Sequence, residues 1–284
     1  MEPHERVARA AVGEAAALLR ATWRQAKVIE HKGAVDLVTA TDREAEALIL
    51  GHLRRAFPAH RVVAEEAAAG SALEPPPPDE LVWYLDPLDG TTNFAHAYPH
   101  FCVSLALARG TEPIFGIVHD PLRDETFVAH HGGGATLNGE VIGVSSVSDL
   151  DEALLATGFP YDRRAHVDFY VSFLADFVGR AQGVRRNGSA ALDLCYVACG
   201  RLDGFWEWKL HPWDLAAGVL IVREARGTVS GFRGQSFDLY GDQTLASNGH
   251  LHRMMVETLS ARLGRGARSD QGPGPPACPA PRSR

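Results

Sequence analysis

The chain has 284 residues, 45% hydrophobic and 22% charged, enough apolar material to bury a sizeable core as one large domain or two closely joined lobes. A formal net charge of -7 argues against nucleic acid as a primary partner, which calls for a basic surface, but leaves anionic substrates open because bound cations reverse a local field. The four cysteines, Cys102, Cys195, Cys199 and Cys278, form no CxxC pair and read as packed free thiols; no secretory leader or bilayer-length apolar run is present, so a reduced, cytoplasmic protein is expected.

In chain order, residues 5 to 31 read as one amphipathic helix, with Val7, Ala10, Ala11, Ala15, Leu18, Leu19 and Trp23 along its apolar stripe. Lys32-Gly33-Ala34-Val35-Asp36 breaks it. Thr41-Asp42-Arg43-Glu44 has the spacing of a capping box and opens a second helix through residue 56. Asp42 then lies in a first turn, where the helix dipole favours an ionised acid; alone it reads as a good helix start. Arg61-Val62-Val63-Ala64 is a short strand running into Glu65-Glu66, adjacent acids that must be solvated or neutralised by a cation. Residues 67 to 80 form an exposed loop stiffened by Pro75-Pro76-Pro77-Pro78.

The most informative stretch follows. Leu81-Val82-Trp83-Tyr84-Leu85 reads as a buried strand, which Pro87 should prevent from continuing as a central ladder member. That leaves Asp86 at a strand end, facing a crevice. Gly90 permits a tight turn, and Thr91 and Thr92 open a short helix whose amides attract an anion, phosphate above all. Asp86 and Asp89 beside such a cradle would repel the phosphate. A hard cation between them resolves the conflict, because Mg²⁺ takes oxygen ligands from protein and substrate together. The stretch therefore suggests metal-assisted phosphoryl chemistry, although D-P-x-D-G alone also suits a plain strand-turn-helix.

Short strands over 101 to 108, 113 to 118 and 125 to 129, with a hairpin at Asn138-Gly139, predict an antiparallel meander. His130-His131 in a glycine turn reads as solvated rather than metal-binding. A helix is expected over 162 to 179, with Phe169, Phe173, Leu174 and Phe177 on its apolar side. Beyond it come a strand at 184 to 187, a Gly188-Ser189-Ala190 turn into a helix through 200, and a strand at 203 to 208. Pro212 begins a helix whose first turn carries Asp214, an acid on a buried-looking face that needs a partner. Short strands at 228 to 230 and 244 to 246 precede a last helix ending near 263. The Gly-, Pro- and Arg-rich residues 264 to 284 read as a disordered tail.

Five separated segments in fixed order make the chain resemble the inositol monophosphatase family of Mg²⁺-dependent phosphatases over residues 5 to 262. They are Val35-Asp36-Leu37-Val38-Thr39-Ala40-Thr41-Asp42, Glu65-Glu66, Asp86-Pro87-Leu88-Asp89-Gly90-Thr91-Thr92-Asn93-Phe94, Gly188-Ser189-Ala190-Ala191 and Trp213-Asp214-Leu215-Ala216-Ala217-Gly218. Thr157-Gly158-Phe159-Pro160-Tyr161 and Arg185-Arg186-Asn187-Gly188-Ser189 look most like the bacterial branch. The resemblance implies an α/β fold, a layered α/β/α/β/α sandwich of the sugar-phosphatase type. Its N-terminal lobe would span 1 to 180 and its C-terminal lobe 181 to 263. It also implies a homodimer, lithium sensitivity, and two to three Mg²⁺ ions per subunit.

By the same resemblance, Glu65, Asp86 and the Leu88 carbonyl would hold one ion, and Asp86, Asp89 and Asp214 a second. A third would lie near Glu65. Asp42, Thr91 and Glu65 would be catalytic, with Asp42 and Thr91 deprotonating the attacking water. Gly90, Thr91 and Lys32 would face the phosphate, and Asp89, Ser189, Ala190, Glu207 and Asp214 the substrate. The implied activity is hydrolysis of an inositol monophosphate, a small phosphorylated polyol, with no membrane partner. Fructose 1,6-bisphosphate, histidinol phosphate and a 3'-phosphonucleotide are rival substrates, and a non-catalytic regulatory protein is the rival of a different class. Ala64 and Ser189 stand where the family often has glycine and threonine.

Overall fold

The computed structural model describes residues 1–25, 29–31, 37–68 and 72–269. Two helices open the chain, α1 (Pro3–Thr22) and, after the short antiparallel pair β1 (Ile29–His31) and β2 (Leu37–Thr39), α2 (Ala40–Ala56). A mixed sheet follows. β3 (Arg61–Ala64) leads through α3 (Glu65–Ala68) to β4 (Leu81–Asp89), its parallel neighbour. After α4 (Thr91–Ala95), the strands β5 (Cys102–Arg109), β6 (Glu112–Asp120), β7 (Glu125–His130), β8 (Gly134–Leu137) and β9 (Glu140–Val141) continue as the expected antiparallel meander. Asn138 and Gly139, with φ of 51 and 87, make the β8–β9 turn predicted from Asn-Gly.

A second sheet has the order β11-β10-β12-β14-β13. It contains β10 (Leu154–Thr157), then, beyond α5 (Val167–Val178), β11 (Gly183–Arg185). Next come α6 (Ala190–Ala198), β12 (Gly204–Trp208), α7 (Pro212–Glu224), β13 (Thr228–Ser230), β14 (Gln243–Ser247) and the closing helix α8 (His252–Ser269). β10 runs parallel to both β11 and β12. Although they precede residue 180, β10 and α5 therefore pack with the second sheet.

Side-chain alternation sets the layers. Trp83 and Leu85 of β4 and Val103, Leu105 and Leu107 of β5 face α1 and α2, whereas Val82, Tyr84, Cys102, Ala106 and Ala108 face α6 and α7. On the second sheet Ala156, Phe205 and Ala246 meet the same two helices, and Leu155, Trp206, Trp208 and Leu245 meet α5 and α8. The result is α/β/α/β/α, as expected. α6 and α7 are the middle layer, apolar nearly all round because both faces are covered. Each fully buried Leu or Phe in these seams stabilises the fold by roughly 1.5–3 kcal/mol.

Several expectations need correction. α1 ends at Thr22, not 31: the Thr22 hydroxyl donates to the Leu18 carbonyl, and the chain turns before β1. Its buried stripe is Ala8, Ala11, Val12, Ala15, Ala16 and Leu19, and Ala10 is exposed. α2 begins at Ala40, so Thr41 lies inside it. α5 starts at Val167 because the preceding residues are held in turns, with Asp162 bonded to Lys209 and Tyr170. α8 runs to Ser269, past the expected start of the tail; residues 270 to 284, including Cys278, lie outside the described residues.

Candidate active site

β4 does not stop at Pro87. It continues to Asp89 through a bulge, its register against β5 shifting between Asp86↔Ser104 and Asp89↔Cys102. Pairing to β3 ends at Ala64↔Leu85, so Pro87, which has no N–H to donate, sits where that edge is already free. The bulge turns the acids toward one crevice, and Asp86 Oδ1 accepts a 2.9 Å bond from the Leu88 amide. Gly90 follows at φ 98. A Cβ there would lie 3.0 Å from the His100 carbonyl and 3.3 Å from the Gly188 carbonyl, so this position requires glycine twice over.

The motif is fastened to the second half of the chain. Asn93 Nδ2 donates to the carbonyls of His100 at 2.7 Å and Asn187 at 2.8 Å. Asp89 Oδ2 accepts 2.7 Å bonds from the Ser189 hydroxyl and the Ala191 amide, and Ser189 Oγ also caps α6 by accepting from Leu192 N at 3.4 Å. Cys102 Sγ lies 3.9 Å from the same carboxylate oxygen. Asp214, in the first turn of α7, accepts a 2.7 Å bond from the His211 amide, the partner that its position called for.

One pocket is lined by Glu65, Asp86, Leu88, Asp89, Gly90, Thr91, Ser189, Ala190, Glu207 and Asp214. These residues proposed from sequence thus converge from six elements and the turns between them. Asp42 stands one step behind the lining. It is fully buried, and its Oδ1 lies 3.0 Å from Thr91 Oγ1, which is also 3.0 Å from the Leu88 carbonyl. Its role as a mere helix start is therefore too narrow. Lys32 lies outside the described residues. Ser189 points its hydroxyl at Asp89 rather than into open space. The same pocket holds residues given no role from sequence: Gly158, Arg163, Arg186, Asp193, Lys209 and His211. Asp193 was the most accessible to inference, an acid in the first turn of an otherwise apolar helix.

Electrostatically the site is costly as a bare set of acids. Burial, then the charges of Glu65, Asp89 and Asp214, pushes Asp86 well above the usual carboxylate range. Burial and Asp214 push Asp89 up to about 7 against the bonds from Ser189 and Ala191. Burial lifts Asp193 to about 8 despite its 2.6 Å bond from Asn187, and burial raises Glu207 strongly, with Arg186 opposing. Among the described residues no three acid, histidine or cysteine side chains form a ready ligand set, and Asp86, Asp89 and Asp214 each accept a hydrogen bond from a protein donor. Their remaining oxygens, with the Leu88 carbonyl, are all hard donors suited to Mg²⁺, and a divalent cation would relieve the repulsion.

A sequence profile of the inositol monophosphatase family matches residues 1–263. The chain is 46% identical over 256 residues to the inositol-1-monophosphatase of Synechocystis sp., covering 90% of this chain and 88% of that protein. It is 39% identical over 265 residues to Nus factor SuhB of Escherichia coli K12, covering 93% and 98%. The fold matches the inositol monophosphatase of Anabaena (Nostoc) sp. PCC 7120 with a TM-score of 0.79 at 41% identity, covering 90% of this chain and 94% of that one.

Proposed function

Because this chain belongs to the inositol monophosphatase family, we infer that it is a phosphatase and that it hydrolyses inositol monophosphate to inositol and phosphate. The observation that carries the reading is the meeting of Glu65, Asp86, Asp89 and Asp214 with the Gly90–Thr91 turn and Glu207 in one pocket.

Glu65, Asp86 and the Leu88 carbonyl would hold one Mg²⁺, Asp86, Asp89 and Asp214 a second, with Glu65 near a third. Bound there, magnesium supplies charge neutralisation on the phosphate and a water acidic enough to act as nucleophile. Thr91 Oγ1, which donates to Asp42 Oδ1 at 3.0 Å, would take a proton from the attacking water while passing its own to that carboxylate. The amides of Gly90 and Thr91 face phosphate oxygens at the start of α4. Asp89 and Glu207 accept hydrogen bonds from ring hydroxyls, and Ser189 and the amide of Ala191 hold Asp89 in place for this. No step needs a covalent phosphoenzyme. The same reading carries a homodimer, inhibition by lithium and a cytoplasmic location. For membranes the structure adds that no helix among the described residues is long and apolar enough to cross one.

The test is phosphate release with and without Mg²⁺ from a panel of inositol 1-phosphate, fructose 1,6-bisphosphate, histidinol phosphate and a 3'-phosphonucleotide. Mg²⁺-dependent turnover greatest on inositol 1-phosphate is the expected result. Turnover confined to the other three would reject the substrate.

A further inference from the structure

Three adjacent strand ends form one wall of the pocket. β11, β10 and β12 run parallel, and their C-terminal ends carry Arg186, Gly158 and Glu207 in that order across the sheet. Thr157 pairs with Trp206, which sets Gly158 level with Glu207. Ala156 and Phe205 both face α6 and α7, so alternation turns Gly158 and Glu207 to that same face. The Glu207 carboxylate lies directly over Gly158: a Cβ built at 158 would overlap both carboxylate oxygens and Cδ. Glu207 is only 8% exposed, and no donor among the described residues bonds its carboxylate. The strongest opposite charge acting on it is Arg186, on the far side of Gly158.

We propose that Gly158 determines specificity for polyol phosphates: its missing side chain is the slot through which the Glu207 carboxylate reaches across β10 to accept hydrogen bonds from hydroxyls of the leaving group. The inference rests on the phosphatase reading above. Gly158 acts through Glu207 and is a positioning residue, touching no reacting atom. The group that a methyl at 158 would strike is the free end of a flexible side chain. Gly158→Ala therefore moves the carboxylate and leaves the backbone in place.

The test compares kcat/KM for inositol 1-phosphate with that for phenyl phosphate, which has no hydroxyls on its ring. In Gly158→Ala the ratio falls at least tenfold, in Glu207→Ala it falls by a similar factor, and the double variant loses no more than either. Shortening the acid in Gly158→Ala/Glu207→Asp recovers at least threefold. A ratio within twofold of wild type in Gly158→Ala, or losses that multiply in the double variant, overturns the proposal. A crystal structure of Gly158→Ala reads the slot without any substrate: the Glu207 carboxylate is displaced, and a carboxylate still lying across β10 overturns the proposal. Wild type that cleaves phenyl phosphate but not inositol 1-phosphate overturns the polyol class and the activity it rests on, while the crystal structure still decides the slot.

Discussion

Asp42 and Thr91 are separated by 49 positions, yet a 3.0 Å hydrogen bond joins them. Asp42 is fully buried, and a buried acid is costly unless its partners are supplied, so a helix start alone does not account for it. If the pair acts as one proton relay, Thr91→Ala and Asp42→Asn each lower kcat about 100-fold, within the range for a lost general base, and the double variant loses no more than the worse single. Multiplying losses would show that the two act separately. Local motifs made the meeting of Glu65, Asp86 and Asp89 in one pocket legible, because neighbouring residues already posed the charge problem that a cation would solve. Ser189 was less legible: its hydroxyl serves Asp89, 100 positions earlier, and no local pattern encodes that bond.

At the scale of elements, boundaries were misread where side chains override periodicity. Proline in β4 looked like a terminator, but the ladder absorbs it in a bulge beside an edge that β3 has already left. That bulge is what aims Asp86 and Asp89 into the crevice. The start of α6 combines two duties in one residue, since Ser189 caps the helix and fixes Asp89. Ser189→Ala should therefore cost about 1 kcal/mol of stability through the lost cap and also lower kcat/KM at least tenfold. Ser189→Thr keeps the hydroxyl and should retain most of both. Thermal unfolding and steady-state kinetics on the two variants check this, and an active Ser189→Ala enzyme with a lowered Tm would confine the serine to capping.

For the whole molecule, alternation along the strands and the apolar middle helices made the layered class readable. The seating of β10 and α5 on the second sheet was not, because a four-residue strand carries too little pattern to choose its neighbours. Stability over pH is also a property of the whole. His100 is buried, its Nε2 has no hydrogen-bond partner among the described residues, and burial with the Arg123 charge lowers its pKa to about 4. The unfolded chain protonates this histidine near 6.5, the folded one near 4. The unfolded state thus binds the extra proton in between, and stability falls with falling pH across that window, by up to about 3 kcal/mol from this group. Urea unfolding at pH 7.5 and 4.5 should show a smaller acid loss for His100→Phe than for wild type. Equal losses would mean that other groups carry the acid limb.

The central claim is that acids far apart in the chain close around divalent ions. Anomalous scattering from crystals grown in Mn²⁺, a probe for the magnesium sites, reads it directly. Density peaks bounded by Glu65, Asp86, Asp89 and Asp214 are the expected result. Peaks only elsewhere, in a protein whose Mn²⁺-supported phosphatase activity is intact, would contradict it.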